Sequence, residues 1–138
     1  MRRSLALCLL LTTSALAYAQ PSPSSFVQSQ LEALGLTAYT NEDITLPAAG
    51  TVKTLTSAKV TDQNVLFVTV AMDGGKVRWT RTGQAPSATY GNLALDQAVV
   101  LLSVTEAQTT SFSMMSPNSV TVTAHVEYYA PVGTTPIP

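Results

Sequence analysis

Apolar and polar residues take turns along most of the chain beyond Gly50, in a Val- and Thr-rich run whose two-residue period predicts β-strands. Thr51 to Val60 is broken by polar residues and reads as an outer strand. Asn64 to Met72 (Asn-Val-Leu-Phe-Val-Thr-Val-Ala-Met) is almost continuously apolar, the pattern of a central strand covered on both faces. Asp73-Gly74-Gly75 follows with the residues of a tight hairpin, so Lys76 to Thr82 is expected to pair back on it. Ala98 to Val104 is a second apolar strand and Thr109 to Met114 a shorter one, and Met115 to Ser119 has turn chemistry. In the last strand Val120, Val122, Ala124, Val126 and Tyr128 point to the core, and Thr121, Thr123, His125, Glu127 and Tyr129 point to water.

Ahead of these strands the period changes. Val27, Leu31 and Leu34 fall on one helical face, Ser25 is the N-cap and Gly35 the stop, so Phe26 to Leu34 is expected to be a short helix covering an edge of the sheet. Five or six closely spaced strands with one helix predict an all-β fold, a small antiparallel β-sandwich of jelly-roll or Ig-like kind over residues 26–130. Residues 131–138, with Pro131, Pro136 and Pro138, form an extended tail.

The first 19 residues stand apart. Arg2 and Arg3 precede the apolar run from Leu5 to Leu11, and Ala17-Tyr18-Ala19 is a small-x-small cleavage site, the three parts of an export signal. The apolar run is shorter than the roughly 20 residues of a spanning helix, so no stable membrane span is expected after cleavage, and the destination is the medium, the periplasm or the cell envelope. Residues 20–25 (Gln-Pro-Ser-Pro-Ser-Ser) read as an extended spacer. Cys8 leaves with the signal, so the remaining chain forms no internal disulfide. Loss of Arg2 and Arg3 leaves Lys53, Lys59, Lys76, Arg78 and Arg81 against eight acids, with no basic run to follow a nucleic-acid backbone.

Candidate chemistry is sparse. His125 is the sole histidine and lies on a polar strand face without the Gly-x-Ser-x-Gly context of a nucleophile, and Glu42-Asp43 is an adjacent acid pair lacking the rest of a calcium loop. Neither a cofactor nor a metal is expected, and the chain reads as a non-enzyme. The conspicuous residues are instead Arg78, Trp79, Arg81, Tyr90 and Tyr129, candidates for an interaction surface. Trp79 reads first as a core anchor; as a ligand platform it would stack on a glycan.

Val77-Arg78-Trp79, Gly83, Pro86-Ser87 and Gly91 occur in that order, followed by Phe112 and by Tyr128-Tyr129. This series, spread over Thr51 to Ala130, resembles small β-sandwich structural proteins of tailed phages. The resemblance implies a virion-associated building block whose sandwich docks on a capsid or tail lattice. Together with the export signal this gives an exported, non-enzymatic structural protein that docks on itself or on a larger surface or virion assembly; the alternative, from Trp79 and the tyrosines, is a secreted binding module for a surface ligand such as a glycan.

Overall fold

The computed structural model describes residues 23–48, 50–107 and 112–135. The expected export signal, residues 20–22 of the spacer, Thr109 to Ser111 of one predicted strand and the last three residues of the tail lie outside the described residues.

The fold is all-β, with two antiparallel sheets facing each other as in a small β-sandwich. Strands β1 (Leu36–Leu46), β2 (Phe67–Asp73), β5 (Val99–Ser103) and β7 (Val122–Pro131) make one sheet in the order β1-β7-β2-β5. Strands β3 (Val77–Thr80), β4 (Asn92–Ala94) and β6 (Ser113–Met115) make the other in the order β4-β3-β6. Side chains from both sheets meet in one core, with Val68, Val70, Leu102 and Tyr128 from the first and Val77, Ala94 and Met114 from the second. Burying each large apolar side chain contributes about 1.5–3 kcal/mol, which is why the strands with the densest apolar pattern, β2 and β7, take the two inner positions of the larger sheet.

Helix α1 (Pro23–Ala33) begins earlier than the apolar period indicates. Proline at the first helical position removes an N–H that would have no partner there, so Pro23 starts the helix where the sequence suggested an extended spacer, and Ser25 falls inside the first turn instead of capping it. The end is as expected: Gly35 adopts φ +76° and its N–H donates to the Glu32 carbonyl at 2.9 Å. Val27 and Leu31 lie on Leu36, Phe67 and Tyr129, so α1 crosses the outer face of the larger sheet and contacts both of its edge strands, not one edge alone. That cover explains Tyr129, which points away from the core as the alternation requires yet is only 1 % exposed.

Three other expectations are corrected. Thr51 to Val60 is not a strand: Lys53 makes one bridge to Met114, and Ser57–Val60 forms the helical turn α2. Leu36 to Leu46, for which the alternation gave no strand, is an eleven-residue edge strand with a bulge at Tyr39. The Asp73-Gly74-Gly75 turn does not return the chain along β2. Gly74, at φ +94°, donates its N–H to Asp96 at 2.9 Å, and a Cβ on Gly75 would stand 3.1 Å from Val122. The two glycines let the chain pass the start of β7 and cross to the second sheet, where β3 pairs with β4 and β6. A second short helical turn, α3 (Val104–Ala107), follows β5 directly. Among the described residues no helix is long and apolar enough to cross a membrane.

Candidate functional site

The residues singled out by sequence separate into two places. Arg78 and Trp79 lie on β3, Arg81 just beyond it and Tyr90 at the end of the following loop, whereas Tyr129 is on the other sheet beneath α1. Trp79 is partly buried against the core, its ring tilted 35° to that of Phe112 with centroids 5.9 Å apart, so much of its surface serves packing. The Arg78 guanidinium donates to the Gly91 carbonyl at 2.8 Å. Ser87 organises the loop: its N–H donates to the Tyr90 carbonyl at 3.0 Å, and its hydroxyl accepts the Tyr90 N–H at 3.0 Å. Pro86 is buried, and Tyr90 is left 42 % exposed at the loop end. The loop from Gly83 to Gly91 is therefore ordered and folded back on β3. Beside it, Gly50, Pro86, Ser87, Ala88, Met115 and Pro117 outline a shallow depression of about 340 Å³.

Sequence reasoning missed a cleft of about 720 Å³ between β1 and the segment around α2. Tyr39 stands on its wall because the bulge in β1 turns it toward the core side, and its hydroxyl donates to Asp62 at 2.9 Å with the Thr135 carbonyl 3.2 Å away. Asp62 also accepts the backbone and side-chain N–H groups of Asn64 at 2.9 and 3.0 Å, an Asx turn that fixes the cleft rim. Next to the cleft, Glu42 points inward from β1 and accepts the Thr56 N–H at 3.0 Å together with the hydroxyls of Thr56 and Tyr128. Thr56 precedes α2 at the capping position, but its hydroxyl goes to Glu42 instead of capping the turn. The Lys59 ammonium donates to the Asn41 carbonyl and lies 5.9 Å above the centre of the Tyr128 ring.

These contacts decide the protonation states. Burial pushes the Glu42 carboxyl up, but the hydrogen bonds from Thr56 and Tyr128 and the nearby Lys59 charge together outweigh it, and the group titrates below its ordinary value. The Asp62 carboxyl is lowered chiefly by the Asn64 backbone N–H, with burial opposing and the Tyr39 and Asn64 side chains assisting. Burial, reinforced by the bond to Glu42 and its charge, raises the Tyr128 hydroxyl. Asp62 in the cleft and Glu42 beside it are thus ionised near neutral pH and already engaged in hydrogen bonds, and the Tyr128 phenol stays protonated. A general acid needs the opposite perturbation, a carboxyl raised toward the working pH. The arrangement fastens α2 to β1 and fixes the wall of the cleft.

The sign of the Glu42 shift gives a test. With the folded value below the unfolded one, its stabilisation is present above pH 4.5, the ordinary value, and is lost as pH falls through the folded value. Glu42→Gln is expected to melt below the parent at neutral pH, with the gap closing on acidification beneath about 4.5. Thermal unfolding of both proteins across an acid pH series measures it; a gap that stays constant shows that Glu42 carries no linked proton.

His125 sits on the outer face of the larger sheet, with Nδ1 2.7 Å from Asp43 and Nε2 3.8 Å from Asp73. All three side chains are well exposed, which limits such pairs to about 0–1 kcal/mol. Among the described residues no group of three or more His, Cys, Asp or Glu side chains is placed to hold a metal ion.

The fold and these sites define a class no narrower than a small two-sheet antiparallel β domain. Comparison with family models, curated proteins and solved structures gave no match to this chain.

Proposed function

We propose that the chain is a non-enzymatic assembly module, exported to the medium or the cell envelope, that docks on a copy of itself or on a larger surface or virion assembly. The observation that carries this reading is the uncharged apolar strand at the end of the larger sheet. Strand β5 ends that sheet, no charged residue occurs from Gln97 to Thr105, and Leu101 is 46 % exposed. An edge strand normally carries a charge, a proline or a cover that prevents pairing with another chain; β5 has neither charge nor proline, and α1, which contacts it, leaves Leu101 exposed. Exposed Leu93 and Leu95, at 45 % and 56 %, add apolar surface at β4, an edge of the smaller sheet. The order of Arg78-Trp79, Gly83, Pro86-Ser87, Gly91 and Tyr128-Tyr129 supports the likeness to virion building blocks.

The test uses the protein expressed with its own leader and recovered after export. N-terminal sequencing is expected to begin at Gln20, and light scattering over a concentration series to show a defined multimer or co-fractionation with a larger envelope or virion particle. A chain that stays monomeric at every concentration and travels with no particle overturns the reading.

A further inference from the structure

We infer that the chain pairs with a second copy of itself along the edge of the smaller sheet, β4 against β4, joined antiparallel about a two-fold axis at Leu93. This rests on the assembly reading above and names its surface.

The direction of the β4 backbone follows from its pairing with β3. The ladder holds three pairs: Val77 with Ala94, Arg78 with Leu93, and Trp79 with Asn92. Bonded and unbonded pairs alternate along an antiparallel ladder, and an unbonded pair is held by the bonds of the residues on either side of it. Among the described residues no backbone bond joins Lys76 to Leu95 or Thr80 to Gly91, so the two end pairs are the bonded ones and Arg78 faces Leu93 unbonded between them. Leu93 therefore directs its N–H and its carbonyl away from β3. The loop from Gly83 to Gly91 leans the other way: Pro86, Ser87 and Ala88 border the same depression as Met115 on β6, the opposite edge of this sheet. A second β4 with Leu93 facing Leu93 exchanges both backbone bonds at the axis.

Three observations select a second copy as the occupant. The segment complements itself in charge: Asp96 is the one charged residue from Thr82 to Gln97, and this register sets it against the exposed Tyr90 of the copy, a phenol against a carboxylate. Arg78 stands one strand behind Leu93, so the two guanidinium groups lie three strand spacings apart, about 14 Å, beyond a screening length of about 8–10 Å. The segment also complements itself in shape, because Leu95 comes opposite Gly91 of the copy, which has no side chain to meet it. Finally, the side chains beside the axis are apolar and exposed: Leu93 shares the outer face with Leu95 by alternation, whereas Ala94 between them is buried. Three residues of backbone pairing make a weak join alone, and shielding two leucines from each copy supplies the apolar contact. At the opposite edge β6 already exchanges backbone bonds with Lys53. Pairing at β4 joins the two three-stranded sheets into one of six, β6-β3-β4 continued as β4-β3-β6 of the copy.

Because position 93 meets itself at the axis, charge can be used to address it. Leu93→Lys and Leu93→Asp are each expected to raise the dimer dissociation constant by about tenfold or more, through like charges placed opposite and the lost apolar contact. An equimolar mixture of the two is expected to recover dimer, as the heterodimer sets Lys against Asp. Leu34→Lys, at an exposed apolar position beside α1 on the other sheet, is expected to leave the dissociation constant unchanged and controls for added charge. Light scattering over a concentration series reads the constants, and thermal unfolding confirms that the variants are folded. A multimer insensitive to both Leu93 variants, or one that the mixture does not restore, overturns the Leu93 axis while leaving the assembly reading in place. A wild-type chain that is monomeric but travels with a larger particle overturns self-pairing alone; one that is monomeric and travels with nothing overturns both.

Discussion

Tyr128→Ala is expected to lower unfolding stability by about 3–5 kcal/mol, the range for removing a large buried ring. Tyr128 is fully buried on β7, the strand that joins β1 to β2, and its ring lies in the shared core. Domains of this size are stable by only about 5–15 kcal/mol, so the variant would stand close to the unfolding threshold at 25 °C. Tyr128→Phe separates the two contributions. It keeps the ring and removes the hydroxyl that donates to Glu42, at an expected cost of about 0.5–1.5 kcal/mol, because Glu42 retains both bonds from Thr56. Urea unfolding measures both through the midpoint, provided the slope is unchanged. Equal losses for Phe and Ala would place the stabilisation in the hydroxyl and not in the ring. The raised titration of the phenol adds an alkaline signature: its contribution is complete below the ordinary tyrosine value of 10.0 and declines as pH rises above it, a limb that Tyr128→Phe is expected to diminish.

The same residue shows what was legible in the sequence and what was not. The period of two through Val122, Ala124, Val126 and Tyr128 identified the core face of β7 directly, since each of these side chains is buried and their neighbours on the strand lie opposite. The apolar run at β2 likewise identified an inner strand. What hid β1 was Glu42. It faces inward at a position where alternation calls for an apolar residue, and it is tolerated because three donors from Thr56 and Tyr128 satisfy it. The Tyr39 bulge then shifts the period by one residue, so the pattern from Leu36 to Leu46 breaks twice although the strand is continuous. Partners far apart in sequence supply those donors, and no local window contains them. The cleft was missed with them, as it exists only where the bulged strand meets α2. The Gly74-Gly75 turn failed for a different reason. Its residues correctly announce a sharp change of direction, but whether the chain returns to its own sheet or crosses to the facing one depends on what occupies the neighbouring edge, and β5 and β7 already flank β2 on both sides.

Gly91→Ala is expected to be costly for a reason that can be isolated from the general penalty of replacing glycine. Gly91 adopts φ +107°, a conformation that side chains rarely accept, and a Cβ added there would stand 2.9 Å from the Trp79 carbonyl oxygen, 3.2 Å from Thr80 and 3.3 Å from Pro86. The first of these is backbone within a paired strand and cannot turn aside as a side chain can. The positive φ costs about 1–2 kcal/mol and the overpacking about 1–3, giving an expected loss of about 2–5 kcal/mol. Gly35→Ala is the control, because φ there is also positive at +76° but nothing lies within 4 Å of the added Cβ; its expected loss is the conformational part alone, about 1–2 kcal/mol. The difference between the two variants measures how tightly the loop is clamped on β3. A large difference accompanied by a red shift of Trp79 fluorescence would show the loop lifting from the strand, since Gly91 approaches the Trp79 carbonyl and accepts the Arg78 guanidinium. Equal losses at the two glycines would mean that the loop yields easily and that the order of Gly83, Pro86 and Gly91 does not hold it against the sheet.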